Sequence, residues 1–110
     1  MNNLHKVVLA SDCGIFISSY DDISTALGAS IGRRLILSEA ELGPAFFDLR
    51  TGLAGELIQK FVNYRIQTGI IIATPEAHGE RFAELAREHA THPMVRFVRS
   101  MADAMKWMNE

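Results

Sequence analysis

The segment Asp48-Leu49-Arg50-Thr51-Gly52 sets a carboxylate, a guanidinium, a hydroxyl and a glycine side by side, directly before an apolar stripe. A threonine at a helix start, followed by glycine, would leave backbone N–H groups facing outward. Such groups hold an anion or a phosphate, and the hydroxyl itself could accept a phosphate at the favourable end of the helix dipole. Arg50 could grip a carboxylate or phosphate, and Asp48 could act as acid, base or ligand. Plainer readings stand beside these. Thr51 could simply cap the helix, worth about 1 kcal/mol, and Asp48 with Arg50 could be an ion pair that fixes the loop. Phe46 and Phe47 read as core anchors.

Other candidates are weaker. Gly52 and Gly55 lack the spacing of a phosphate-binding loop or a dinucleotide fingerprint. Glu56 and Lys60 read as an i,i+4 pair. Glu88, His89 and His92 offer too few convergent ligands for a metal, so neither a metal nor another cofactor is expected. His5 and His78 read as surface residues, and Cys13 as a turn residue. Trp107 falls off the stripe Met101, Ala104, Met105 and Met108, which suggests exposure or burial in a homodimer.

The elements that must position these groups follow from periodicity. Val7–Ala10 and Gly14–Ile17 are short apolar runs about a turn, read as a hairpin. Ser19, with Asp21 and Asp22, starts a helix carrying Ile23, Ala26, Leu27 and Ile31. Leu35-Ile36-Leu37 is a buried strand. Ser38 and Glu41 have capping-box spacing for one helical turn before Gly43-Pro44. Residues 46–52 read as a loop, and Leu53, Leu57, Phe61 and Tyr64 as the stripe of the main helix. Thr68–Ala73, apolar on both faces, reads as a central parallel strand. Thr74-Pro75-Glu76 opens a further helix. Met94–Val98 is an edge strand, and Ser100 caps the last helix.

Strand–helix alternation of this kind predicts one α/β domain over residues 1–110. Its mixed, mostly parallel sheet would have about five strands and about four helices, with right-handed crossovers. Ligands of open α/β sheets bind beyond the carboxyl ends of the strands. That edge would collect Ser38, the Asp48–Gly52 loop and Thr74.

Composition narrows the classes. The 110 residues are 48% hydrophobic and 22% charged, which fits a globular chain. A net charge of −2 argues against a nucleic-acid binder, and the single cysteine against a disulfide scaffold. No apolar run approaches membrane length, and no leader is evident. The expectation is a cytoplasmic protein of bacterial type, without membrane or nucleic-acid partners.

The run Phe46-Phe47-Asp48-Leu49-Arg50-Thr51-Gly52-Leu53-Ala54-Gly55-Glu56, continued by Gln59-Lys60-Phe61 and Asn63-Tyr64-Arg65, resembles the central signature of a bacterial family known as domain of unknown function 4180. Weaker resemblance runs from about Gly14 to Met108. Where that family often has Gly-Asp after the Ile-rich strand, this chain has Ala73-Thr74. The element order also resembles STAS-type domains, in which a serine in a motif like Asp-Ser-Ser-Gly-Leu is phosphorylated by a partner kinase. Asp48–Leu53 is similar but one residue longer. The resemblance implies a STAS-like fold and a non-enzymatic regulatory or binding module, with a protein partner or kinase, recognising its partner or an anionic group at Asp48–Gly52. The alternative is a small enzyme acting on an anionic metabolite, with Asp48 as acid or base and Arg50 as anion holder.

Overall fold

The computed structural model describes residues 6–110. Four strands form a sheet in the order β1 (Val7–Leu9), β2 (Arg34–Ser38), β3 (Thr68–Ile71), β4 (Val95–Val98), and every neighbouring pair is parallel. Helix α1 (Tyr20–Ser30) joins β1 to β2. A short α2 (Pro44–Phe47) and the long α3 (Leu53–Asn63) join β2 to β3. α4 (Glu80–Glu88) joins β3 to β4, and α5 (Met101–Met108) follows.

Sequential strand order with crossovers of one hand puts every connecting helix on one face. The side chains agree. Val8, Leu35, Leu37, Ile70, Val95 and Phe97 share one core with Ile23 of α1, Leu57 and Phe61 of α3, and Phe82 of α4. The alternate strand residues face the other way, as a period of two requires. There Ile36 packs with Ala104, Trp107 and Met108 of α5. Gly69 lies under that helix, where a Cβ would make an ordinary contact, 3.7 Å from the Ala104 Cβ.

The α/β class holds, with two differences in detail. The Val7–Ile17 hairpin does not form. Ala10–Cys13 is a 3-10 turn ended by Gly14 at φ 68°. Such a turn still advances along its axis, so the chain leaves past the strand end instead of folding back beside it. Ile15 and Ile17 are buried, and Ile17 makes one parallel bridge to Leu42. Second, Pro44 starts a helical turn where an end was expected, because its fixed φ suits a first helical position. That adds a fifth helix.

β3 is central and β4 lies at an edge, as the hydrophobic pattern implies. The α3 stripe runs through Leu53, Leu57 and Phe61, but Tyr64 lies outside it at 55% exposure. α3 ends in a Schellman motif. The Ile66 N–H donates to Phe61 O (2.9 Å) and the Arg65 N–H to Val62 O (3.1 Å). The left-handed position of that motif, where glycine is usual, is held by Arg65 at φ 56°. A non-glycine residue there costs about 1 kcal/mol.

Candidate functional site

Because all four strands are parallel, the segments that follow β2 and β3 meet at one end of the sheet. The segment after β2 is built from the inside out. Phe46 is fully buried, and Phe47 packs edge-on to Phe82 with ring centroids 5.1 Å apart. Asp48 then accepts three bonds from Arg50: from the backbone N–H (3.1 Å), from Nε (3.0 Å) and, at its other oxygen, from Nη2 (3.0 Å). The Arg50 guanidinium beside it holds the Asp48 carboxyl below the usual carboxylate range. Asp48 is therefore ionised at neutral pH and serves as an anchor for Arg50. The fork uses the Nε–Nη2 edge of the guanidinium. The outer Nη1–Nη2 edge points away from Asp48, on a side chain 92% exposed.

Thr51 is turned into its own loop. Its hydroxyl lies 2.7 Å from Ala45 O and 2.8 Å from Asp48 O, and accepts the Leu53 N–H at 3.2 Å. The residue at the N-cap of α3 is Gly52, not Thr51. Gly52 takes φ 75°, and a Cβ on it would meet the Tyr20 hydroxyl at 2.7 Å. That hydroxyl donates to Thr51 O at 3.0 Å. The Gly52 N–H donates to Leu49 O. The expected outward cradle of Gly52 and Leu53 N–H groups is thus replaced by internal bonds. The reason is local: the Gly52 N–H closes the 3-10 turn Leu49–Thr51, and the Leu53 N–H is taken by the Thr51 hydroxyl. A phosphate on Thr51 would have to displace both carbonyl contacts.

An open cavity of about 600 Å³ lies beside this loop. Phe47, Asp48 and Arg50 form one wall, and His78 to Phe82 the other. The second wall follows β3 and a 3-10 turn, Pro75–His78, at whose end Gly79 swings to φ 102° before α4. His78 stacks on Phe47, with ring centroids 3.8 Å apart and planes 11° from parallel. Its Nε2 lies 2.6 Å from Glu39 Oε2. His78 is thus not a free surface residue: it ties the segment after β3 to the one after β2. Glu80 and Arg81 complete the rim.

Among the described residues, the cavity wall takes in Asp48 and Arg50 but not Ser38, Thr51, Gly52 or Thr74. Ser38 is occupied locally: its N–H and hydroxyl both donate to Glu41 Oε1, at 2.8 and 2.9 Å. Thr74 precedes the Pro75–His78 turn without a side-chain cap bond. The periodicity reading missed His78, Arg81 and Phe82. The available signal was topological: once the segments after β2 and β3 share an edge, the residues just past Thr74 belong there too.

Three further side chains lie outside the cleft wall. Trp107 is 7% exposed, buried under α5 within its own chain, with the Arg96 guanidinium 4.5 Å from its ring centre. It therefore supplies no motive for a homodimer. His92 Nδ1 accepts the Met94 and Val95 N–H groups, and His89 Nδ1 bonds Leu85 O. Among the described residues no cluster of three metal-type side chains occurs. His5 lies outside the described residues, and among them no helix is long and apolar enough to cross a membrane.

Fold and cavity together define a small parallel α/β domain with its main cleft at the carboxyl end of the strands, where such sheets place ligands. The chain belongs to the family Domain of unknown function (DUF4180), whose model matches residues 2–108. Neither a curated protein nor a solved structure matches it.

Proposed function

We propose that this protein is a non-enzymatic binding module of regulatory type, which takes an acidic group of a protein partner in the cleft between Phe47–Arg50 and His78–Phe82. The observation that carries this reading is the bidentate Asp48–Arg50 pair. It locks Arg50 with one edge of its guanidinium filled and the other turned outward, the geometry for receiving a carboxylate or phosphate. Phe47 and Phe82 supply an apolar wall beside that charge, and recognition surfaces commonly combine an aromatic anchor with an arginine. The same pair counts against Asp48 as a proton carrier, because its ionised form is already committed to Arg50.

The test is affinity capture with three proteins: the natural chain, Arg50→Glu and Arg87→Glu, the last making the same charge change elsewhere on the surface. A partner held by the natural chain and by Arg87→Glu but lost with Arg50→Glu fits the proposal. A partner retained by Arg50→Glu removes it. A metabolite turned over by the natural chain and not by Asp48→Asn would replace it with the enzymatic reading.

A further inference from the structure

The loop that carries Arg50 is tied to a residue that does not line the cleft. Tyr20, the first residue of α1, reaches across to it, and its hydroxyl donates to Thr51 O at 3.0 Å. The base from which it reaches is well held. Asp22 accepts the N–H and hydroxyl of Ser18 (2.8 and 2.9 Å) and those of Ser19 (3.0 and 3.2 Å), which pins the first turn of α1. Burial accounts for only part of the tyrosine's placement, since the residue is 52% exposed.

Thr51 O is an acceptor that the neighbouring helix does not use. The first bond of α3 runs from the Glu56 N–H to Gly52 O, one residue further on, and the Tyr20 hydroxyl takes up the carbonyl before it. The fit is close: a Cβ on Gly52 would meet that hydroxyl at 2.7 Å, so the contact needs glycine beside it. Thr51 in turn closes the turn Leu49–Thr51. Its N–H donates to Asp48 O (3.0 Å), and its hydroxyl lies 2.8 Å from the same oxygen. Asp48 then holds Arg50 by one backbone and two side-chain bonds. That fork needs the backbone and the guanidinium of Arg50 on one carboxylate, so it depends on the shape of the turn.

We propose that Tyr20 is a positioning residue for the cleft: its hydroxyl, acting through the Thr51 carbonyl, holds the turn that presents Arg50. The inference rests on the reading of Arg50 as the group that receives an acidic partner. Tyr20 itself touches no ligand in this scheme. A turn held at Thr51 restricts Arg50 before the partner arrives, which lowers the ordering cost of binding. The hydroxyl contributes one ordinary hydrogen bond, so its loss loosens the turn without unfolding the chain.

The experiment compares the natural chain with Tyr20→Phe, which keeps the ring and removes the hydroxyl. The control is Tyr64→Phe, the same change at a tyrosine 55% exposed at the end of α3. The readouts are solvent exchange of the Arg50 Nε–H by NMR and the affinity of a short glutamate-rich peptide by calorimetry. Tyr20→Phe should speed the exchange about fivefold and weaken the peptide by a similar factor, the worth of one hydrogen bond. Tyr64→Phe should change neither. A Tm lowered in Tyr20→Phe with Arg50 exchange unchanged makes the hydroxyl a plain surface contact and overturns the proposal. Equal acceleration in Tyr64→Phe overturns it as well, and so does a peptide held as tightly by Tyr20→Phe as by the natural chain. Faster exchange in Tyr20→Phe alone, with no peptide bound by the natural chain, upholds the positioning by Tyr20 and removes the proposed function of the cleft.

Discussion

At the carboxyl end of the strands, the carboxylate and the guanidinium at the centre of the cleft hold each other. Asp48 holds Arg50, and Glu39 meets the His78 ring, while Glu80 and Arg81 form the rim without an ion pair among the described residues. At the amino end, Arg33, Arg34 and Arg65 line one cavity with no carboxylate among the described residues. The backbone follows the same division. In the loop before α3 the left-handed position is filled by Gly52, which suits it; at the amino end one is filled by Gly32 and another by Arg65, which does not suit it. Paired charges at the cleft build loop geometry and leave one guanidinium edge outward. At the other end Arg34 donates to the Met108 carbonyl, and Arg33 and Arg65 form no ion pair among the described residues.

The contrast can be broken in order of effect. Phe82→Ala should cost about 3–5 kcal/mol, as for other buried aromatics, because its ring meets those of Phe46, Phe47, His78 and Phe97. Denaturant unfolding measures it, and a loss under about 1 kcal/mol would mean that the cleft wall is not part of the core. Gly52→Ala should cost about 2 kcal/mol, from the left-handed strain and the collision with Tyr20. Arg65→Gly should go the other way, a gain of about 1 kcal/mol. The same unfolding assay compares their signs, and two losses would erase the backbone contrast.

The smallest effect is a pH slope at the amino end. Burial, then the neighbouring charges of His89 and Arg96, hold the His92 imidazole below its usual pKa of 6.5. The folded chain therefore prefers neutral His92. Its contribution is complete above the unfolded value and is lost as pH falls below about 6.5. Imidazole NMR titration should give His92 a lower pKa than a free histidine, and His92→Gln should flatten the decline of Tm with acid.

Much of the scaffold was legible because periodicity reports burial. Leu53, Leu57 and Phe61 gave away α3, and Thr68–Ile71 the central strand. The capping pairs Ser38–Glu41 and Ser100–Asp103 were readable from spacing alone. The Val7–Ile17 hairpin was misread because short apolar runs do not say whether a turn reverses the chain or carries it onward. The helix cap slipped by one residue, from Thr51 to Gly52, because the donors there were already used by the preceding turn. Trp107 was misplaced because a helical stripe says nothing of a neighbour such as Arg96. His78 and the arginine cavity depend on which loops share an edge, and that follows from strand order, not from local spacing.

The most direct measurement is a two-dimensional amide NMR titration with a short glutamate-rich peptide. Shifts concentrated at Asp48, Arg50 and His78 to Phe82 are the result this account predicts. Shifts elsewhere with the Asp48–Arg50 amides still would contradict it.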